Sequence, residues 1–249
     1  MRPPRVQVYP TPALMTAAAG TEILRAIRQA VGERGIFSLA LSGGETPRAL
    51  YRRLAETADA DEPDWSCVHL CFGDERMVHP DDPASNYGMV RDELIAHVPI
   101  PAGNVRRIRG ERPPGVAARE YAADLGGLIA RTGGKLDVVL LGLGEDGHTA
   151  SLFPGTDAVR ERTQPVVAVQ AAVGPRVTIT LPVINAAREV IFLVEGGAKA
   201  DIVRRVLEPA PGEQPLPASL VDPAGSAPLW MMDAAAASLL HSAQEGGTP

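Results

Sequence analysis

Gly142-Leu-Gly-Glu-Asp-Gly-His148 sets an imidazole two residues after a carboxylate, in a turn held by three glycines directly behind the apolar run Val138–Leu141. An imidazole with an acidic neighbour can be oriented and tuned to accept a proton near neutral pH, so His148 is the candidate general base and Asp146 its partner. The spacing also matches G-x-G-x-x-G after a strand, the dinucleotide fingerprint. That reading fails on three counts: Glu145 and Asp146 would face a pyrophosphate, the motif lies mid-chain, and Pro154-Gly155 cuts short the helix that should follow. A lone histidine is most often structural, but this one lies at the carboxyl end of a strand, beside glycines for which the sequence offers no packing role.

Three further segments could hold a charged ligand. In Leu41-Ser-Gly-Gly-Glu-Thr-Pro47, Gly43 and Gly44 permit close backbone approach between a strand and a helix start. Free amides and the positive end of the helix dipole suit a phosphate there, with the Ser42 and Thr46 hydroxyls on either side. A tight βα turn would use the same glycines, and Glu45 tolerates an anion only if its side chain turns away. Phe72-Gly-Asp-Glu-Arg-Met77 puts Asp74, Glu75 and Arg76 beyond the carboxyl end of a strand, where ligands of open α/β sheets collect. A solvated charge cluster is the alternative. In Val194-Glu-Gly-Gly-Ala-Lys199, the lysine falls in a helix's first turn, where the dipole opposes it unless a ligand anion compensates. Only Lys135 and Lys199 are lysines among the 24 basic residues.

These segments need a scaffold, and the hydropathy pattern supplies one. Short Val/Ile/Leu runs alternate with amphipathic stretches, the signature of βαβ units around a mostly parallel buried sheet. Strands are expected at Val6–Tyr9, Phe37–Leu41, Cys67–Phe72, Val138–Leu141, Val166–Val169, Val177–Leu181, Val190–Val194 and Leu229–Met232. Helices are expected at Pro12–Gly32, Pro47–Thr57, Asn86–His97, Val116–Arg131, Ala198–Leu207 and Ala234–His241, with Thr46 and Ser85 as N-caps. Loops fall at Asp59–Asp64, Gly110–Gly115 and Glu208–Pro217.

The chain of 249 residues, 45% hydrophobic and 22% charged, can bury a full core. It reads as one α/β domain over residues 1–241, with Ser242–Pro249 a frayed tail. A net charge of −6 excludes a general nucleic-acid or anionic-membrane surface, so an anionic ligand must be held locally. With no leader-like or membrane-spanning apolar stretch, a cytoplasmic protein is expected. Cys67 and Cys71, four apart in an expected strand, read as small core residues on one face rather than a disulfide or metal pair.

Taken in order, Ser42-Gly-Gly-Glu-Thr-Pro47, Gly73-Asp-Glu-Arg76, Ser85-Asn86, Gly142-Leu-Gly-Glu-Asp-Gly-His-Thr-Ala-Ser-Leu-Phe-Pro154, Gly196-Gly-Ala-Lys199 and Pro217-Ala-Ser-Leu-Val221 resemble the 6-phosphogluconolactonases over nearly the whole chain. The resemblance implies a modified Rossmann-like, mostly parallel sheet with helices on both faces, shared with the glucosamine-6-phosphate deaminase/isomerases. It implies hydrolysis of 6-phospho-D-glucono-1,5-lactone to 6-phosphogluconate, the second step of the oxidative pentose phosphate pathway, with no cofactor, no metal and no covalent intermediate. His148 would activate water; Asp74 and Asp146 would line the pocket; and Ser42, Gly43, Gly44, Thr46, Arg76, Gly144 and Lys199 would bind substrate. A monomer is expected, with the sugar-phosphate lactone as its partner and neither nucleic acid nor membrane.

Two rivals share these features. A sugar-phosphate isomerase or deaminase would resemble the same core, but those enzymes carry a glutamate before the proline where Phe153 stands, and usually an aromatic where Arg76 stands. A sugar-phosphate sensor of a transcription regulator would need a DNA-binding segment, and no helix-turn-helix precedes residue 36.

Overall fold

A computed structural model describes residues 3–56 and 63–241. Its strands are β1 (Arg5–Tyr9), β2 (Phe37–Leu41), β3 (Val68–Phe72), β4 (Asp74–Arg76), β5 (Val138–Leu141), β6 (Val166–Ala171), β7 (Gly174–Ile179), β8 (Glu189–Val194) and β9 (Leu229–Asp233). Six of them pair in the order β1-β9-β8-β5-β2-β3, every pairing parallel. Every residue of β2, β3 and β5 is buried, which is why those runs read as mostly apolar rather than alternating, interrupted only by Ser38 and His69. Farther along the sheet the Phe192 and Trp230 rings stack at 3.9 Å on the paired strands β8 and β9.

The helices are α1 (Pro12–Arg34), α2 (Glu45–Glu56), α3 (Asn86–Glu93), α4 (Pro114–Arg131), α5 (Leu181–Ala186) and α6 (Ala200–Leu207). Thr11 caps α1 by accepting from the Leu14 amide, Pro12 opens it, and Gly35 closes it at a φ of 69°. The strand order turns around between β2 and β5, which lie side by side with Leu39 opposite Val138. Chain connections leave these two strands in opposite directions, so a crevice opens beyond their carboxyl ends. Both glycine-rich segments, Ser42–Thr46 and Gly142–His148, emerge there.

Several expectations are corrected. The segments at Val166 and Val177 join the site segment Asp74–Arg76 in a separate antiparallel sheet, β4-β7-β6, instead of extending the parallel one. The short turn between Ala171 and Gly174 permits a hairpin, whereas a parallel crossover needs a dozen or more residues. Strand β7 ends at Ile179, and Leu181 opens the unexpected helix α5, with Pro182 in its first turn. Helix α3 stops at Glu93, and a separate 3₁₀ turn covers Ile95–His97. Ala234–Leu239 forms turns rather than a helix, with the Asp233 carboxylate accepting from the Ala236 and Gly196 amides at its start. Cys67 lies in a 3₁₀ turn and is half-buried, so it does not share a strand face with Cys71. Burial pushes the Cys71 thiol up to about 12. The end of the Pro47–Thr57 helix, most of the Asp59–Asp64 loop and the Ser242–Pro249 tail lie outside the described residues. Among those described, no helix is long and apolar enough to cross a membrane.

Candidate active site

The crevice at the β2/β5 junction is a cleft of about 970 Å³, within the usual range for small-molecule sites. Ser42, Gly43, Gly44, Thr46, Asp74, Arg76, Gly144, Asp146, His148 and Lys199 all line it. Four strand ends, those of β2, β3, β5 and β8, contribute them.

One wall is the turn after β5. His148 Nδ1 lies 2.5 Å from Asp146 Oδ1, and the same carboxylate oxygen accepts the His148 backbone N–H at 3.0 Å. Burial acts to raise the Asp146 carboxyl, but the His148 amide, ring and charge outweigh it and hold the group below its ordinary value. Asp146 therefore stays ionised near neutral pH. With Nδ1 as the donor to that carboxylate, Nε2 is left as the acceptor, the arrangement a general base needs. Phe153 packs its ring 4.4 Å from the imidazole, centroid to centroid. Gly144 does have a packing role, contrary to expectation: a Cβ there would fall 2.1 Å from His148 Nδ1 and 2.2 Å from Cε1. Gly147, at a φ of 82°, closes the turn by donating to the Gly144 carbonyl.

The floor is β4. Asp74 is buried and accepts from Ser151 Oγ at 2.5 Å and from Asn86 Nδ2 at 3.3 Å. Glu75, one residue on, does not reach the cleft. Its two oxygens accept from the Arg76, Asn86 and Tyr87 amides and the Ser85 hydroxyl, tying β4 to the start of α3. Burial raises its carboxyl despite those donors. Asn86 was visible only as part of a motif; its side chain reaches across to Gly43, where a Cβ would sit 1.9 Å from Asn86 Oδ1. That contact requires glycine in the first loop.

The opposite wall is cationic. Arg76 donates to the Ala84 carbonyl at 2.6 Å, and Arg176, directly opposite it in the β4/β7 register, also lines the cleft. Burial and the nearby Arg76 charge lower the Arg176 guanidinium from its usual value. Among the described residues neither arginine forms an ion pair, and neither does Lys199. Two cations held together without a direct ion pair, the Asp74 and Glu75 charges only partly offsetting them, leave a place for an anion. Arg176 was missed in the sequence because its partner strand lies some hundred residues away. Lys199 closes a 3₁₀ turn, Gly197–Lys199, immediately before α6, instead of lying within the helix. Helix α2 begins at Glu45, so Thr46 is in its first turn and does not cap it from outside. Glu45, which also lines the cleft, is paired with Arg48 at 3.1 Å, so its charge is partly met by that guanidinium. Ser42 Oγ is buried without a hydrogen-bond partner among the described residues.

Among the described residues no group of three or more His, Cys, Asp or Glu side chains is placed to hold a metal ion. The family model for glucosamine-6-phosphate isomerases/6-phosphogluconolactonase matches residues 10–230. The 6-phosphogluconolactonase of Nostoc sp. is 38% identical over 235 residues, 93% of this chain and 96% of that protein. The human 6-phosphogluconolactonase is 42% identical over 216 residues, 84% of this chain and 83% of that one. The solved 6-phosphogluconolactonase of Trypanosoma brucei superposes with a TM-score of 0.83 at 29% identity, covering 95% of this chain and 98% of its own. The chain belongs to the glucosamine-6-phosphate isomerase/6-phosphogluconolactonase family.

Proposed function

We propose that this protein hydrolyses 6-phospho-D-glucono-1,5-lactone to 6-phosphogluconate, with His148 as general base and no covalent intermediate. The observation that carries the reading is the polarity of the cleft: a carboxylate-held imidazole on one wall and unpaired cations on the other. The named relatives supply the substrate, and the geometry divides the labour.

The phosphate, with close to two negative charges, docks on Arg76, Arg176, Lys199 and the Ser42–Thr46 loop. That anchor brings the lactone carbonyl to His148. A water hydrogen-bonded to Nε2 attacks C1 and passes its proton to the ring. The tetrahedral oxyanion collapses, and the imidazolium returns the proton to the departing ring oxygen, leaving a C5 hydroxyl and a carboxylic acid that then loses its own proton to solvent. Asp146 holds the tautomer and stabilises the transient positive charge. Asp74, fixed by Ser151 and Asn86, shapes the floor beneath the sugar.

The isomerase or deaminase reading is weaker because Phe153, packed on His148, stands where those enzymes carry a glutamate. Isomerisation would then be short of an acid-base group. The test mixes the protein with freshly generated 6-phosphogluconolactone and follows its loss against spontaneous hydrolysis. Acceleration supports the reading; binding without acceleration supports a sensor and sinks it.

A further inference from the structure

A second cleft, of about 730 Å³, lies between α3, the 102–109 segment and α4, apart from the one just described. Four arginines line it in a protein whose net charge is −6. Two of them are neutralised: Arg107 makes a two-pronged pair with Glu111, and Arg109 pairs with Glu120. The other two, Arg106 and Arg131, have no ion pair among the described residues. Both instead approach His69, a residue of β3 that is only 2% exposed. Arg106 Nη1 is 3.1 Å from its Nδ1, and Arg131 Nη2 is 3.4 Å from its Nε2.

That arrangement is unbalanced. A neutral imidazole has one acceptor nitrogen, so only one of these guanidiniums can be satisfied by the ring; the other faces an N–H. Burial first, and the two arginines next, depress the His69 imidazole to about 4, so it brings no charge of its own and remains neutral at physiological pH. Asp124 lines the same cleft but makes no ion pair with either arginine. The α4 C-terminus, which ends at Arg131, offers only the partial charge of its dipole.

We propose that this cleft is a second anion site, for a small molecule carrying phosphate at two points, such as a diphosphate or bisphosphate. The fork geometry of arginine suits phosphate oxygens. The two guanidiniums approach His69 at different ring nitrogens, so a ligand with two anionic points can meet one with each. Ile95 and Val105 give the body of such a ligand an apolar surface. His69 is a positioning residue: its one acceptor nitrogen holds one arginine, and its ring packs against the other. Helix α3 stands between the clefts, with Asn86 lining the first and Tyr87 the second.

Inorganic pyrophosphate is the probe, titrated calorimetrically against the intact protein and against a K199M/R176Q variant that weakens the first cleft. The K199M/R176Q protein should retain a pyrophosphate site. Adding R106Q/R131Q to it should weaken that site by about 10- to 100-fold, the loss of two charge-assisted contacts, while R106Q/R131Q alone leaves lactone turnover unchanged. Orthophosphate, with a single anionic point, should bind the second site more weakly than pyrophosphate. Both arginines sit at the rim, and matching thermal midpoints for the variants confirm an intact fold. Pyrophosphate binding that disappears entirely with K199M/R176Q, or that is indifferent to R106Q/R131Q in a folded protein, overturns the proposal.

Discussion

His148 and His69 are two imidazoles in opposite electrostatic settings. The first is partly exposed in the β2/β5 cleft, with a carboxylate 2.5 Å from one nitrogen; the second is buried under an arginine pair. A neighbouring anion stabilises the imidazolium that forms when a base takes a proton, whereas burial and two neighbouring cations disfavour it. The difference teaches that residue type is a poor guide to role here. What distinguishes a proton acceptor from a brace is the sign of the charge beside it and the access of water.

Variants that break this contrast should differ in size and in kind. Removing the reactive ring has the largest expected effect: H148A should lower kcat by about 10²–10⁴-fold with the fold intact, read in a lactone-disappearance assay. Next is G144A, which places a methyl group where the His148 ring stands; displacing the base by an ångström or so should cost about 10²-fold in kcat at little cost in stability. If G144A turns over normally, the ring's packing does not matter for the reaction. R176Q or K199M should then reduce kcat/KM for the phosphorylated lactone by about 10–100-fold while sparing unphosphorylated glucono-1,5-lactone. Equal losses on both substrates would remove the phosphate from that wall.

The smallest effect concerns His69 and stability alone. Its folded value of about 4 lies below the ordinary 6.5, so the fold favours the neutral ring. This contribution is complete above pH 6.5 and is lost as the pH falls towards 4, by about 1–3 kcal/mol. H69Q should flatten that part of the Tm-versus-pH curve. An unchanged acid limb would place the sensitivity elsewhere.

Much of the framework was legible because it depends on local pattern. The buried strands β2, β3 and β5 announce themselves as apolar runs, and the glycine turns that follow β2, β5 and β8 mark the edge of the sheet where the cleft forms. The Ser85 cap on α3 was legible for the same reason, since its hydroxyl meets the Gly88 amide three residues on. What escaped depends on partners remote in sequence. Gly43 is glycine because of Asn86, and Arg176 enters the cleft because β7 pairs with the three-residue strand β4. Glu75 looked like a site residue by adjacency, yet alternation along β4 turns it away from Asp74 and into the amides of α3. The sequence shows no packing role for Gly144 because the group that needs its space, His148, lies in the same turn and folds back over it.

The central claim is tested most directly by measuring turnover of fresh 6-phosphogluconolactone by H148A and H69Q side by side, with the spontaneous rate subtracted. The account predicts a loss of about 10²–10⁴-fold for H148A and a rate within about twofold of the parent for H69Q at neutral pH. Parent-like turnover by a folded H148A protein would contradict it.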